Sequence, residues 1–270
     1  MLKAFIAFFL FIVTQIVGSS VALLWANKDN LSAGKDLDPA MLLAQPEYNG
    51  IAMFWASLVL IAILLLTKIA RKSSIASLWK TPATGFGRAL IGFIIFTLGA
   101  SFLLAPLQLN DFGTTEMFHL MKDNIWCLLL ICIVGPLTEE LVFREGVVRH
   151  LSYKKMQPVT AAIVGAVLFG IVHGNPAQML PAAFIGFILG LFYVRTGDIQ
   201  LCAAAHIFNN SIAVLLFFFP TIEETMENLP ISSSLVIGGV LAAVGFSILL
   251  QWWKHSGPSL IEREVINTAA

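Results

Sequence analysis

The stretch IWCLLLICIVGPLTEELVFREGVVRHL, residues 125–151, decides what kind of protein this is. Its first ten residues, Ile125 to Val134, are apolar without interruption. Gly135 and Pro136 follow, and then Glu139, Glu140 and Arg144 appear while the surrounding sequence stays apolar. Ionisable groups in a bilayer are costly and rare, so they mark function by default. Proline suits the first turn of a helix and disrupts an interior. The reading is therefore a kink or break at Gly135-Pro136, with Thr138 capping a second helical piece. Broken helices at membrane depth are tolerated where they line a cavity. On that reading both glutamates lie in the first turns of the second piece, where the helix dipole favours their ionised form.

The rest of the chain agrees that the solvent is lipid. It is 58% hydrophobic and only 12% charged, with a mean hydropathy of +0.85. A soluble domain is about 45–50% apolar and about 25% charged. The formal net charge is zero, so nothing points to nucleic acid. Three cysteines, Cys127, Cys132 and Cys202, lie in apolar runs and read as small buried hydrophobes rather than a disulfide framework.

A helical span needs about 20 apolar residues. By that rule the candidates are 4–26, 50–70, 87–107, a fourth beginning at Ile125, 158–173, 177–194, 199–219 and 232–253. The expected fold is all-α, a polytopic bundle of about eight transmembrane helices in one domain over residues 1–270. The first span outruns the h-region of a signal peptide and reads as uncleaved. Lysine and arginine gather in cytoplasmic loops. With the N-terminus inside, the inner side receives Lys3, Arg71, Lys72, Lys80, Arg88, Arg149, Lys154, Lys155, Arg195, Lys254 and Arg263. The outer side receives only Lys28, Lys35 and Lys122, against Asp29, Asp36, Asp38, Glu223, Glu224 and Glu227. Both termini are thus expected in the cytoplasm, and the short loops favour a bacterial inner membrane.

Two further motifs follow the glutamates: Phe169-x-x-x-His173 and His206-x-x-x-Asn210. At about 1.5 Å per helical residue, Glu139 lies roughly 20 Å from the inner end of its span, and His173 roughly 22 Å along the next. His206 and Asn210 lie roughly 10 and 16 Å along theirs, so all can share a zone in mid-bilayer. Residues four apart share a helix face. Glu140 and Arg144 therefore pair locally, while Glu139 points about 100° away and is free to act as a base. His206 and Asn210 share a face suited to an oxyanion, and Phe169 packs the His173 imidazole. Carboxylate plus histidine is what water activation requires.

Each motif also has a plain reading: a buried ion pair, or interhelical hydrogen bonds. His119, His150 and His255 fall at solvated positions, and Glu145–Arg149 reads as a surface pair. A Cys202–His206 thiol–imidazole pair is conceivable but leaves the glutamates without a role. No His-Glu-x-x-His, no Gly-x-Ser-x-Gly and no aspartate pair within spans occurs.

Taken together, Glu139-Glu140-Leu-Val-Phe-Arg144, Phe169-Gly-Ile-Val-His173 and His206-Ile-Phe-Asn-Asn210 resemble the three motifs of the CPBP family, which includes CAAX prenyl endopeptidases and bacteriocin-processing and immunity proteins. The resemblance covers residues 125–215. It implies an eight-helix intramembrane endopeptidase acting on a membrane-anchored protein or peptide. Glu139 would be the catalytic carboxylate, with His173 orienting water and His206 and Asn210 on the oxyanion side. Glu140 and Arg144 would support the site. Residue chemistry leaves the cofactor open between none and Zn2+, for which Glu139, His173 and His206 would be the ligands. The expected reaction lies toward the cytoplasmic half of the bilayer. The alternatives are a noncatalytic immunity or scaffold protein of the same fold, and a transporter with a buried carboxylate relay. The chain ends without a Cys-a-a-X of its own, so self-processing is not expected.

Overall fold

A computed structural model describes residues 1–153 and 156–257. Lys154, Lys155 and Arg263, assigned above to the inner side, lie outside the described residues, as do the side chains of Glu223 and Glu227. Every regular element among the described residues is helical. Six helices are long and apolar enough to cross a membrane: α1 (Leu2–Ala26), α2 (Pro46–Leu66), α3 (Phe86–Leu107), α4 (Ile125–Ser152), α6 (Pro176–Thr196) and α8 (Ile231–His255). Two shorter apolar helices, α5 (Pro158–Ile171) and α7 (Gln200–Leu216), complete a polytopic bundle. The protein is an integral membrane protein.

The outer surface of the bundle, like its interior, is rich in apolar side chains. Large apolar side chains such as Phe5, Val59, Ile91, Val167 and Val240 are exposed. The interior holds large apolar side chains such as Phe93, Phe143 and Leu189 together with small residues and buried polar ones such as Glu140 and Arg144. Between helices in lipid there is little hydrophobic gain, so close backbone approach must supply the attraction. On α3 and α8, Gly99 and Gly245 lie directly against the partner helix backbone, at Ala242 and Phe96 respectively. On α6, Gly186 and Gly190 let α5 approach, Gly186 against the Phe169 ring and Gly190 against Ala162. Helix α4 is the centre, packed against α1, α2, α5 and α7.

α4 does not break at Gly135-Pro136. It runs unbroken for 28 residues, and wide π-turns over Leu130–Val134 and Leu141–Val148 absorb the irregularity. Such turns are common at functional sites. Thr138 caps nothing; its hydroxyl donates back to Val134 O at 2.6 Å. The glutamates are therefore mid-helix, and the expected help from a helix N-terminus is lost. A wide turn leaves room for the proline ring without ending the helix.

Helix ends differ from expectation in two places. α2 stops at Leu66, and the chain folds back through Lys68, at φ +56°, with Ala70 N bonded to Leu64 O. α5 stops at Ile171, so His173 lies past the helix, in the reversal that Gly174 makes at φ +75°.

Connections alternate between two ends. At one, Lys3 Nζ donates to Lys68 O, the Gln200 amide donates to Lys80 O, and Arg195 stacks on Trp253 at 3.7 Å. At the other, Asn27 ties to Asp38, Ala177 N bonds Asn110 O, and Asn175 bonds Thr114.

Glu145 and Arg149 are not a surface pair. The Glu145 carboxylate is fully buried. It accepts from Arg71 Nη2 at 2.7 Å, Ser74 at 2.6 Å and the Tyr193 hydroxyl at 2.7 Å, with Arg149 Nε 3.2 Å away. Arg71 goes on to Gly197 O, and Arg149 to Ile69 O. Burial opposes the Arg71 charge, yet the hydrogen bond to Glu145 together with the attraction of Tyr193, Glu145 and Tyr153 holds its pKa above the ordinary guanidinium value. His150 is half-buried beside this knot, its Nε2 3.1 Å from Ile69 O, rather than solvated. The cluster clamps the α2–α3 connection to α4 and α6.

Candidate active site

Adjacent residues of α4 have opposite fates. Glu140 is completely buried, whereas the Glu139 side chain is 22% exposed and lines a cavity of about 750 Å³. The 100° between successive residues causes this split. As expected, Glu140 Oε2 lies 2.9 Å from Arg144 Nε. The N–H is not aimed along that line, however, and Arg144 Nη2 finds no hydrogen-bond partner among the described residues. The guanidinium is instead met by the Phe169 ring face, 5.1 Å from its centroid.

The other oxygen of Glu140 was not assigned a task by spacing. It accepts from His206 Nδ1 at 2.8 Å. His206 Nε2 then stands 3.5 Å from Glu139 Oε2. One imidazole thus bridges the two glutamates, and Glu140 links Arg144 on one side to His206 on the other. This bridge joins α4 to α7, 66 residues apart.

His173 is fixed by its own motif. Its Nδ1 is 2.7 Å from Phe169 O. A carbonyl only accepts, so Nδ1 carries the hydrogen and Nε2 is left as a free acceptor at the cavity wall. Phe169 does more than pack this ring. It lies edge-to-face against His173 at 4.9 Å, His206 at 5.6 Å and Phe143 at 5.1 Å. One aromatic ring spaces both histidines and covers the arginine. That gives a testable consequence. An alanine at 186 would put its Cβ 2.8 Å from Phe169 Cδ1. Gly186→Ala is expected to lower kcat by about tenfold to 10²-fold per folded molecule, since small displacements at a site are that costly. Gly190→Ala, one turn on against Ala162, should cost stability without that loss. Equal kcat values for the two variants would show that Phe169 has no spacing role.

Asn210 faces the same cavity, but one of its amide hydrogens is already committed. Its Nδ2 donates to Ile131 O at 3.0 Å. The register explains why. In the wide turn Gly135 N bonds Leu130 O, five residues back. The next donor in that register would be Pro136, which has no N–H. Asn210 supplies the missing donor from α7. Asn210→Ala should therefore destabilise by about 1 kcal/mol, the lower end of the cost of an unsatisfied carbonyl, because Ile131 is only partly buried. In a Pro136→Ala background, which restores an N–H, the loss should shrink. Additive losses in that double-mutant cycle, read by thermal unfolding, would refute this role.

Cys202 donates to Leu189 O at 3.2 Å and is buried, so it makes no pair with His206. Glu139, His173 and His206 line one cavity, yet no group of three His, Cys, Asp or Glu side chains among the described residues is arranged to hold a metal ion. His206 Nδ1 is taken by Glu140, and its Nε2 lies 3.5 Å from Glu139 Oε2.

The cavity is walled mainly by apolar residues, among them Met53, Phe96, Leu130 and Ile185. It runs from Glu139 to Thr115, Gln178 and Phe217, at the end away from the Arg71–Glu145 clamp.

Residues 121–212, which hold Glu139, Glu140, Arg144, Phe169, His173, His206 and Asn210, match the family model described as Type II CAAX prenyl endopeptidase Rce1-like. The chain is 27% identical over 228 residues to "Putative membrane peptidase YdiL" of Bacillus subtilis, covering 79% of this chain and 88% of that protein. It is 29% identical over 126 residues to "UPF0177 protein YxdF" of Lactococcus lactis, covering 43% of this chain and 69% of that protein. It is 25% identical over 139 residues to "Membrane-embedded CAAX protease MroQ" of Staphylococcus aureus, covering 47% of this chain and 56% of MroQ. No solved structure matches the chain. The three motifs gather around one cavity inside residues 121–212, the segment that is similar to the Rce1-like CAAX prenyl endopeptidase model.

Proposed function

We propose that this protein is an intramembrane endopeptidase that hydrolyses a peptide bond of a membrane-anchored polypeptide, with Glu139 as the general base. The observation that carries the reading is the division of labour between the adjacent glutamates. Glu140 is spent on Arg144 and His206, while Glu139 is presented to the cavity beside two histidines.

The chemistry follows from the atoms present. A water between Glu139 and the free Nε2 of His173 gives its proton to Glu139 as its oxygen attacks the scissile carbonyl carbon. The second N–H of Asn210, beside His206, meets the oxyanion that forms. Collapse breaks the C–N bond, and the proton held on Glu139 passes to the departing amine. The apolar walls exclude bulk water and receive the substrate's apolar segment. A 750 Å³ cavity falls within the range of sites that bury most of a ligand.

Purified protein in detergent should cleave at least one member of a panel of prenylated and unprenylated membrane-peptide reporters. Cleavage should vanish in Glu139→Gln. A wild-type rate no higher than that variant's across the panel, with the variant also keeping the protein's cellular role, would rule the hydrolase out.

A further inference from the structure

The position of the cavity along the bundle bears on which side the substrate comes from. α1 to α7 contribute to the lining only through their middles or one of their ends, and α8 contributes none. α2 contributes Asn49 and Gly50 from its first turns, and α6 Ala177 and Gln178 from its first. α7 contributes Leu216 from its last turn. The short helix Thr114–Met121 between α3 and α4 contributes Thr115 and Phe118, and Thr115 is exposed. α4 contributes from Leu130 to Glu139 and nothing beyond, although it continues to Ser152. No lining residue comes from the end that carries the clamp.

Charge divides the same two ends. Among the described residues, the clamp end holds Lys3, Lys68, Arg71, Lys72, Lys80, Arg88, Arg149, Arg195 and Lys254. The cavity end holds Lys28, Lys35 and Lys122. Basic residues near span ends are retained in the cytoplasm, and the loops here are short enough for that rule to apply. The clamp end is thus the cytoplasmic one, and the cavity reaches the surface on the opposite side. Glu139 is 14 residues from Ile125 and 13 from Ser152 on α4, so the reacting carboxylate is near mid-bilayer and the open space lies outward of it.

We infer that the site works from the extracytoplasmic half of the membrane, and that its substrate is an exported, membrane-anchored polypeptide whose scissile bond lies in or just beyond the outer leaflet. This rests on the hydrolase reading for the reaction but not for the sidedness. It replaces the cytoplasmic-half expectation drawn from depth along the helices, which gave distance from an interface but not the direction in which the cavity opens.

The test has two arms. Thr115→Cys at the cavity mouth and Lys80→Cys at the basic end are introduced separately into the full chain and treated in intact cells with a membrane-impermeant maleimide. Cys132→Ser is the background, because Cys127 and Cys202 are buried but Cys132 is only partly so. Thr115→Cys should label in intact cells, and Lys80→Cys only after permeabilisation; the reverse pattern overturns the inference whatever the catalytic outcome. In the second arm, single-span reporters carry the cleavable segment on either flank. The extracytoplasmic flank should be cut at least tenfold faster, with both rates abolished in Glu139→Gln. Faster cutting of the cytoplasmic flank overturns the substrate assignment. Cutting that survives Glu139→Gln overturns the hydrolase reading instead.

Discussion

Glu139→Gln is expected to reduce turnover by about 10²–10⁴-fold, the range associated with loss of a positioned general base, and to leave the melting temperature unchanged. Glu139 is partly exposed and its nearest polar partner is 3.5 Å away, so the amide replaces it without stranding another charge. Glu140→Ala is expected to lose both activity and stability. It leaves the Arg144 guanidinium, 1% exposed, without its carboxylate and frees His206 Nδ1. Breaking one side of a buried pair typically costs about 3–5 kcal/mol. The two variants differ by a single position on one helix, so purification and thermal unfolding in detergent can be compared directly. Turnover that survives Glu139→Gln, or a Glu140→Ala protein as stable as wild type, would contradict the assignment of roles.

The second large effect is expected far from the site. Glu145→Ala should lower stability by about 3 kcal/mol or more, since it removes the acceptor shared by Arg71, Ser74 and Tyr193 and leaves Arg149 unneutralised at 9% side-chain exposure. Arg71 is partly exposed, and water will meet some of its loss. Activity per folded molecule should hardly change, because the clamp lies at the end opposite the cavity. Thermal unfolding combined with turnover normalised to folded protein separates the two readouts. A normal melting temperature would mean that the clamp does not secure the α2–α3 connection; a large fall in normalised turnover would mean that it acts on the site after all.

Much of the site was legible because helical periodicity is a local property. The i,i+4 relations Glu140–Arg144 and Phe169–His173 follow from 3.6 residues per turn, and both contacts are present. So is the divergence of Glu139 from Glu140. What spacing could not show was the partner across the bundle. Nothing in the register of α4 requires Glu140 to reach α7, or Asn210 to serve Ile131. Pro136 is visible in the sequence but its meaning is not: a proline can break a helix or sit in a widened turn, and an external donor decides between them. Glu145–Arg149 misled for a related reason. An i,i+4 pair near a span end looks solvated until Arg71, Ser74 and Tyr193, brought by other segments, close over it.

The sequence by itself determined that the chain lives in a membrane as a helical bundle, which end is basic, and which side chains carry reactive groups. Those are matters of hydropathy, charge count and residue type, additive along the chain. Only the tertiary structure decided that His206 bridges the two glutamates, that one phenylalanine spaces both histidines, and that the cavity opens away from the basic end. These depend on the rotation and depth of each helix against its neighbours, which close packing through residues such as Gly186 and Gly99 sets and no single segment encodes.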